Sequence, residues 1–174
     1  MALYAAVPAV PPPMTPEDLY AFRFLADAQI SPDGARIAYV VREIDRDANT
    51  YRSGIWLLPY DGGEAPRRLA ESAGQDALPT WSPDGRWLAF VSDRNAPQDD
   101  AKVRKPKNVF LLSLAGGEAR QLTSFADDCA DLTWSPDGKH LAFTAKDPKP
   151  AGAGDDGIYV WNRLRYKSDE GYLS

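Results

Sequence analysis

Histidine and cysteine occur once each in this chain, and that scarcity removes much of the chemistry a small protein can carry. A metal centre built on His and Cys needs several such ligands, and a disulfide needs two thiols. Cys129 has no second cysteine to pair with, which favours a reducing, cytoplasmic setting. Basic excess is missing too: 20 Lys and Arg stand against 25 Asp and Glu, a net charge of -5, so nucleic acid is not an expected partner. No apolar run reaches the roughly 18 residues of a membrane span, so a membrane partner is not expected either. The opening residues 1–14 are apolar, but they lack a basic start and are broken by Pro8 and by Pro11-Pro12-Pro13. They read as a disordered, extended leader and not as an export signal. There is no Gly-x-Ser-x-Gly elbow, no glycine-rich phosphate loop and no Cys pair, so no catalytic, cofactor or metal residue is assigned.

What is present is a repeat. Ile30-Ser31-Pro32-Asp33-Gly34, Trp81-Ser82-Pro83-Asp84-Gly85 and Trp134-Ser135-Pro136-Asp137-Gly138 lie 51 and then 53 residues apart. Proline presets the first corner of a turn, Asp bonds its own backbone there, and Gly supplies the left-handed exit angle. A hairpin is expected at each copy. The segments that follow, Arg36–Val41, Arg86–Val91 and His140–Thr144, align with Ile37/Leu88/Leu141 and Tyr39/Phe90/Phe143 two apart on one face, as in strands. Ile55-Trp56-Leu57-Leu58 and Val109-Phe110-Leu111-Leu112 each lead through Gly-Gly-Glu to a short strand, making four strands per period. That is one β-propeller blade.

The expected fold is therefore all-β: a partial, unclosed β-propeller over 27–174, with blades at about 27–75, 76–127 and 128–174, the last incomplete. Before it, Thr15-Pro16-Glu17-Asp18-Leu19 has an N-cap, an N1 proline and early acids, which predicts a helix over 15–26 with a sticky stripe at Leu19, Tyr20 and Phe22.

Residues with chemical potential have structural readings beside functional ones. Ser31, Ser82 and Ser135 recur in every copy and read as turn residues, not nucleophiles. His140 aligns with Arg36 and Trp87, a variable position that reads as outward-facing and solvated rather than as a base or ligand. Cys129 precedes a predicted strand and reads as a small buried thiol, since a reactive one would want a histidine partner. Asp99-Asp100, Asp127-Asp128 and Asp155-Asp156 lack the alternating ligands of a calcium loop and read as solvated charge. The basic run Lys102–Lys107 is either a wet loop or a lure for anionic peptide ends.

The Thr15–Leu19 helix, the blade phrases, the Gly-Gly-Glu turns and the closing Arg163-Leu164-Arg165-Tyr166-Lys167 with Gly171-Tyr172 together resemble the N-terminal half of an acylaminoacyl peptidase of the prolyl oligopeptidase family, over Thr15 to Leu173. The resemblance implies a seven- or eight-bladed propeller ahead of an α/β-hydrolase domain that carries Ser, Asp and His. The propeller would do no chemistry; it would gate and position short peptides for that hydrolase. No triad position has a counterpart in this chain, so none is carried over. Two departures from the pattern stand out: residues 155–162 do not match it, and Asp169-Glu170-Gly171 lacks an expected glycine.

About three blades do not close a ring that ordinarily needs four to eight. Open faces and strand edges are then expected to drive self-association, with the missing hydrolase domain and short peptides as partners of a parent enzyme. The alternatives are a TolB-like propeller scaffold for protein partners, and a truncated product with no function of its own.

Overall fold

The computed structural model of the chain describes residues 13–69, 72, 74–95 and 105–146, with 167–168 as backbone. Three antiparallel sheets follow one another along the sequence. The first is a meander of β1 (Arg23–Ile30), β2 (Arg36–Asp45), β3 (Thr50–Pro59) and β4 (Arg67–Arg68). The second repeats it with β5 (Asp76–Trp81), β6 (Trp87–Ser92), β7 (Asn108–Ser113) and β8 (Arg120–Gln121). The third holds β9 (Cys129–Trp134) beside β10 (His140–Ala145), whose other edge takes β11 (Lys167–Ser168). Two four-stranded sheets in sequence order are the blades that the repeat implies.

Every Ser-Pro-Asp-Gly copy builds the same hairpin. The serine hydroxyl donates to the Asp carboxylate two residues on, at 2.5–2.6 Å, and accepts the backbone N–H five residues on, at 2.9 Å, in all three turns. The same carboxylate accepts the N–H of Ala35, Arg86 or Lys139 at 3.0 Å. Gly34, Gly85 and Gly138 leave the turn at φ of +71°, +68° and +71°, where a Cβ is disfavoured.

The face that the second sheet turns to the first is called its front and the face it turns to the third its back, and the aligned faces of the other sheets take the same names. In the second sheet Leu88, Phe90, Phe110 and Leu112 look forward onto Ala38, Val40, Ile55 and Leu57 of the first, all at most 4% exposed. Its back, with Ala89, Val91, Val109 and Leu111, receives Cys129, Leu132 and Leu141 of the third. Front onto back, repeated twice, makes two interblade cores.

A bulge breaks the register of each sheet's first strand at Asp27, Leu78 and Asp131, which hold φ of +55°, +53° and +51°. Aspartate tolerates this left-handed angle; leucine does so only at a cost of about 1–2 kcal/mol. Leu78 is 37% exposed, so its side chain returns little packing. Leu78→Asn is expected to stabilise the protein by about 0.5–1 kcal/mol, read as a raised urea midpoint with an unchanged slope.

The N-terminal helix is shorter than its signals predict. A 3-10 helix covers Pro16–Ala21 and none of its residues is buried. Asp18 accepts from the Thr15 N–H at 2.6 Å, so the start signal holds. The end does not: Arg23–Ala26 pair with Val40–Glu43 of β2, so 23–26 joins the first sheet and the blade begins at Arg23, not 27. So short a helix has little stability of its own, and ladder hydrogen bonds to β2 outbid another turn. Leu19, Tyr20 and Phe22 stay 40–48% exposed, and Arg46 lies over the Tyr20 ring at 5.0 Å.

Candidate functional site

The residues singled out in the sequence fall in separate places. Ser31 and Ser82 are buried within their turns, and each turn serine directs its proton to an aspartate rather than to a base. Those bonds hold the Asp84 carboxyl down to about 2; the Ser82 hydroxyl is the chief cause, followed by the Arg86 N–H and side chain. Asp33 and Asp137 are lowered by the equivalent serine and backbone bonds. A carboxyl that is more acidic folded than unfolded stabilises the fold above its ordinary range near pH 4 and loses that contribution as pH falls towards 2. Ser82→Ala is expected to move the Asp84 titration back towards pH 4, as followed by carboxyl-carbon NMR.

His140 approaches Asp137, with Nδ1 3.9 Å from Oδ1, and its backbone N–H serves the turn. The His140 side chain is 44% exposed, whereas Arg36 and Trp87 at the aligned places are half-buried. Arg36 reaches across to the next blade, donating to the Gly85 carbonyl at 3.4 Å and lying 5.3 Å from the centre of the Trp81 ring. The reason is the stacking of successive turns, which brings Pro32 against Gly85 and Pro83 against Gly138.

Cys129 opens β9 and is 2% exposed; burial pushes its thiol up, and Thr123 Oγ1 lies 3.6 Å from its sulfur. Asp128 accepts the Lys107 N–H at 2.9 Å, and Lys107 Nζ reaches Gln75 Oε1 at 3.3 Å, so this end of the basic run fastens loops together. The rest of that run at 102–104, the acidic pairs 99–100 and 155–156, and the leader to residue 12 lie outside the described residues, as does most of the closing Arg163–Tyr172 segment. Among the described residues, no three His, Cys, Asp or Glu side chains gather as a metal site, and no helix is long and apolar enough to cross a membrane.

Two clusters were not foreseen from the sequence. Asp76, fully buried at the start of β5, pairs with Arg94 at 2.8 Å, and Arg94 lies over the Phe90 and Phe110 rings at 4.9 and 5.2 Å. Ser53 of β3 donates to the Asp76 carbonyl at 2.7 Å, so this charged knot locks the second blade to the first. The second cluster is an indole latch. Trp81 donates to the Gln29 carbonyl at 3.1 Å and Trp134 to the Thr80 carbonyl at 3.2 Å, each reaching the preceding blade. Tryptophan in the repeat was the available signal for the latch; a one-blade reading does not reveal its acceptor.

No protein-family model matches the chain. Among curated proteins it is 38% identical over 132 residues to the uncharacterized peptidase YuxL of Bacillus subtilis, covering 75% of this chain and 19% of that protein. It is 33% identical over 113 residues to the Tol-Pal system protein TolB of Alcanivorax borkumensis, covering 63% and 22%. Among solved structures, the β-propeller domain of the trilobed protease from Pyrococcus furiosus superposes with a TM-score of 0.52 at 22% identity, over 70% of this chain and 33% of that one. The acylaminoacyl peptidase of Pyrococcus horikoshii gives 0.57 at 18% identity, over 82% and 21%. The chain thus spans about a fifth of the length of the curated relatives it matches. It is a run of β-propeller blades, similar in sequence to part of a peptidase and of TolB, and in fold to the blades of peptidase propellers.

Proposed function

We propose that these blades are the non-catalytic propeller portion of an acylaminoacyl-peptidase-like serine peptidase, gating and positioning short peptides for an α/β-hydrolase domain. The observation that carries this reading is the 38% identity to a peptidase across three quarters of the chain. Three sheets stacked front to back support it, because a propeller set before a hydrolase restricts access by its shape. The turn serines and Cys129 are engaged in structural bonds, so the chemistry belongs to the hydrolase. A cytoplasmic parent enzyme is part of this reading, on the single cysteine of the chain.

The test is a fluorophosphonate probe, which labels activated serines, applied to the polypeptide extended along its reading frame and to these 174 residues alone. Labelling and release of N-acylated amino acids by the extended protein, with neither from the short chain, is the expected result. A second reading, a TolB-like scaffold for protein partners, is favoured by the 33% identity to TolB. An extended protein that no probe labels, yet that captures one defined partner, decides for the scaffold.

A further inference from the structure

Leu78 holds a strained angle that neither its residue type nor its packing explains. It sits at φ of +53° in the bulge of β5, as Asp27 and Asp131 sit at +55° and +51° in β1 and β9. The three places are aligned: each follows an alanine, Ala26, Ala77 or Ala130, that pairs with Val40, Val91 or Thr144. Aspartate suits that angle and leucine does not. Asp131 also gains a bond there, its Oδ2 accepting from Thr144 Oγ1 at 2.7 Å. Leu78 has no polar group to bond with, and at 37% exposure much of it is unpacked. A residue kept at a steric cost without a local return points to something outside the strand.

The fold fixes where that side chain goes. The front of β5, with Trp81, packs on the first sheet, and its back, with Ala77, packs on the third. One edge of β5 is taken by β6 and the other is the free edge of the sheet. Its neighbours along the strand are buried accordingly, Asp76 at 0%, Pro79 below 2% and Trp81 at 8%. An exposed side chain on such a strand leaves by the unpaired edge. That edge is the inner one: β1, β5 and β9 approach one another in succession, whereas β4 and β8, at the far edges, make no comparable approach among the described residues. Sheets that converge at their first strands fan around an axis, and in a propeller those strands surround the central channel. A bulge re-aims a side chain, and here it turns Leu78 towards the axis.

Resting on the peptide-positioning reading above, we infer that Leu78 is a specificity contact on the channel wall, meeting an aliphatic side chain of a short peptide. β5 stands between β1 and β9, so this apolar group has the aspartates of the two aligned bulges on the neighbouring strands. Their charge disfavours acidic peptides and leaves aliphatic ones as the class that Leu78 takes. Because β5 has a described blade on each side, its place on the wall does not depend on how many blades complete the ring.

The test uses the polypeptide extended along its reading frame, treated beforehand with the fluorophosphonate so that no peptide is cleaved. Fluorescein-tagged Gly-Leu-Gly-Leu-Gly and Gly-Ser-Gly-Ser-Gly are titrated with it and followed by anisotropy. The leucine peptide is expected to bind more tightly. Leu78→Asn is expected to weaken that peptide roughly tenfold, as loss of one apolar side-chain contact does, and to leave the serine peptide unchanged while the urea midpoint rises. Leu78→Met keeps an apolar side chain and is expected to keep the preference. A residue with a structural role alone would move stability and not discrimination. No binding, equal binding of the two peptides, or a leucine preference that survives Leu78→Asn overturns the inference. So does a preference that Leu78→Met abolishes as fully as Leu78→Asn. Serine labelling decides the peptidase reading separately. An unlabelled protein whose leucine preference is lost in Leu78→Asn refutes that reading and keeps the contact; a labelled one whose preference ignores Leu78 does the reverse.

Discussion

Arg94→Ala is expected to cost the fold about 3–5 kcal/mol, the penalty for leaving one charge of a buried pair alone. Asp76 is fully buried and its Oδ1 takes the 2.8 Å bond from Arg94, so the variant strands a carboxylate between the first two blades. The same change removes a guanidinium seated over Phe90 and Phe110. The pair is not stabilising in proportion, because burying two ions is itself expensive. Leu25 holds the aligned place in the first blade, where it is 77% exposed and needs no charged partner. The double variant Asp76→Leu with Arg94→Met is therefore expected to lose far less than Arg94→Ala alone. Urea melts followed by tryptophan fluorescence measure both. A loss below about 1 kcal/mol for Arg94→Ala means that the charges are hydrated and that the knot does not join the blades.

Phe90→Ala is the second large effect, again about 3–5 kcal/mol. Phe90 is 0% exposed, stacks on Phe110 with ring centres 5.8 Å apart, and fills the space over Ala38 and Val40. Strands on both sides hold that space open, so little collapse is available to close the cavity. Tyr39→Ala, at the aligned place on the front of the first blade, is expected to cost the isolated monomer markedly less because Tyr39 is only half-buried. The comparison turns one repeat position into a gauge of whether a blade stands against it. Equal losses at the two sites mean that something covers the first blade in solution.

Much of the fold was legible in the residues. Ser-Pro-Asp-Gly dictates its hairpin through bonds that span five residues or fewer, so the three turns follow from local chemistry. Alternation in Arg36–Val41 goes with a strand buried on one face, whereas Trp87–Ser92 is buried on both because a sheet packs against each side of it. The helix failed as a local inference: its start signals are real, but pairing of 23–26 with β2 decided where it ends. The bulges at Asp27, Leu78 and Asp131 escaped notice because two of the residue types suit a left-handed angle and the third does not.

For the candidate site, the sequence established the repeat, its turns and the absence of a recognisable nucleophile elbow, all of which depend on neighbours along the chain. Only the tertiary structure decided which face of each blade points forward, that Asp76 and Arg94 meet, and that each indole reaches back to the preceding blade. Those partners lie 18 to 54 residues apart, and their meeting depends on how whole sheets stack. A pattern of period two records that one face differs from the other; what covers a face is a property of the assembled sheets.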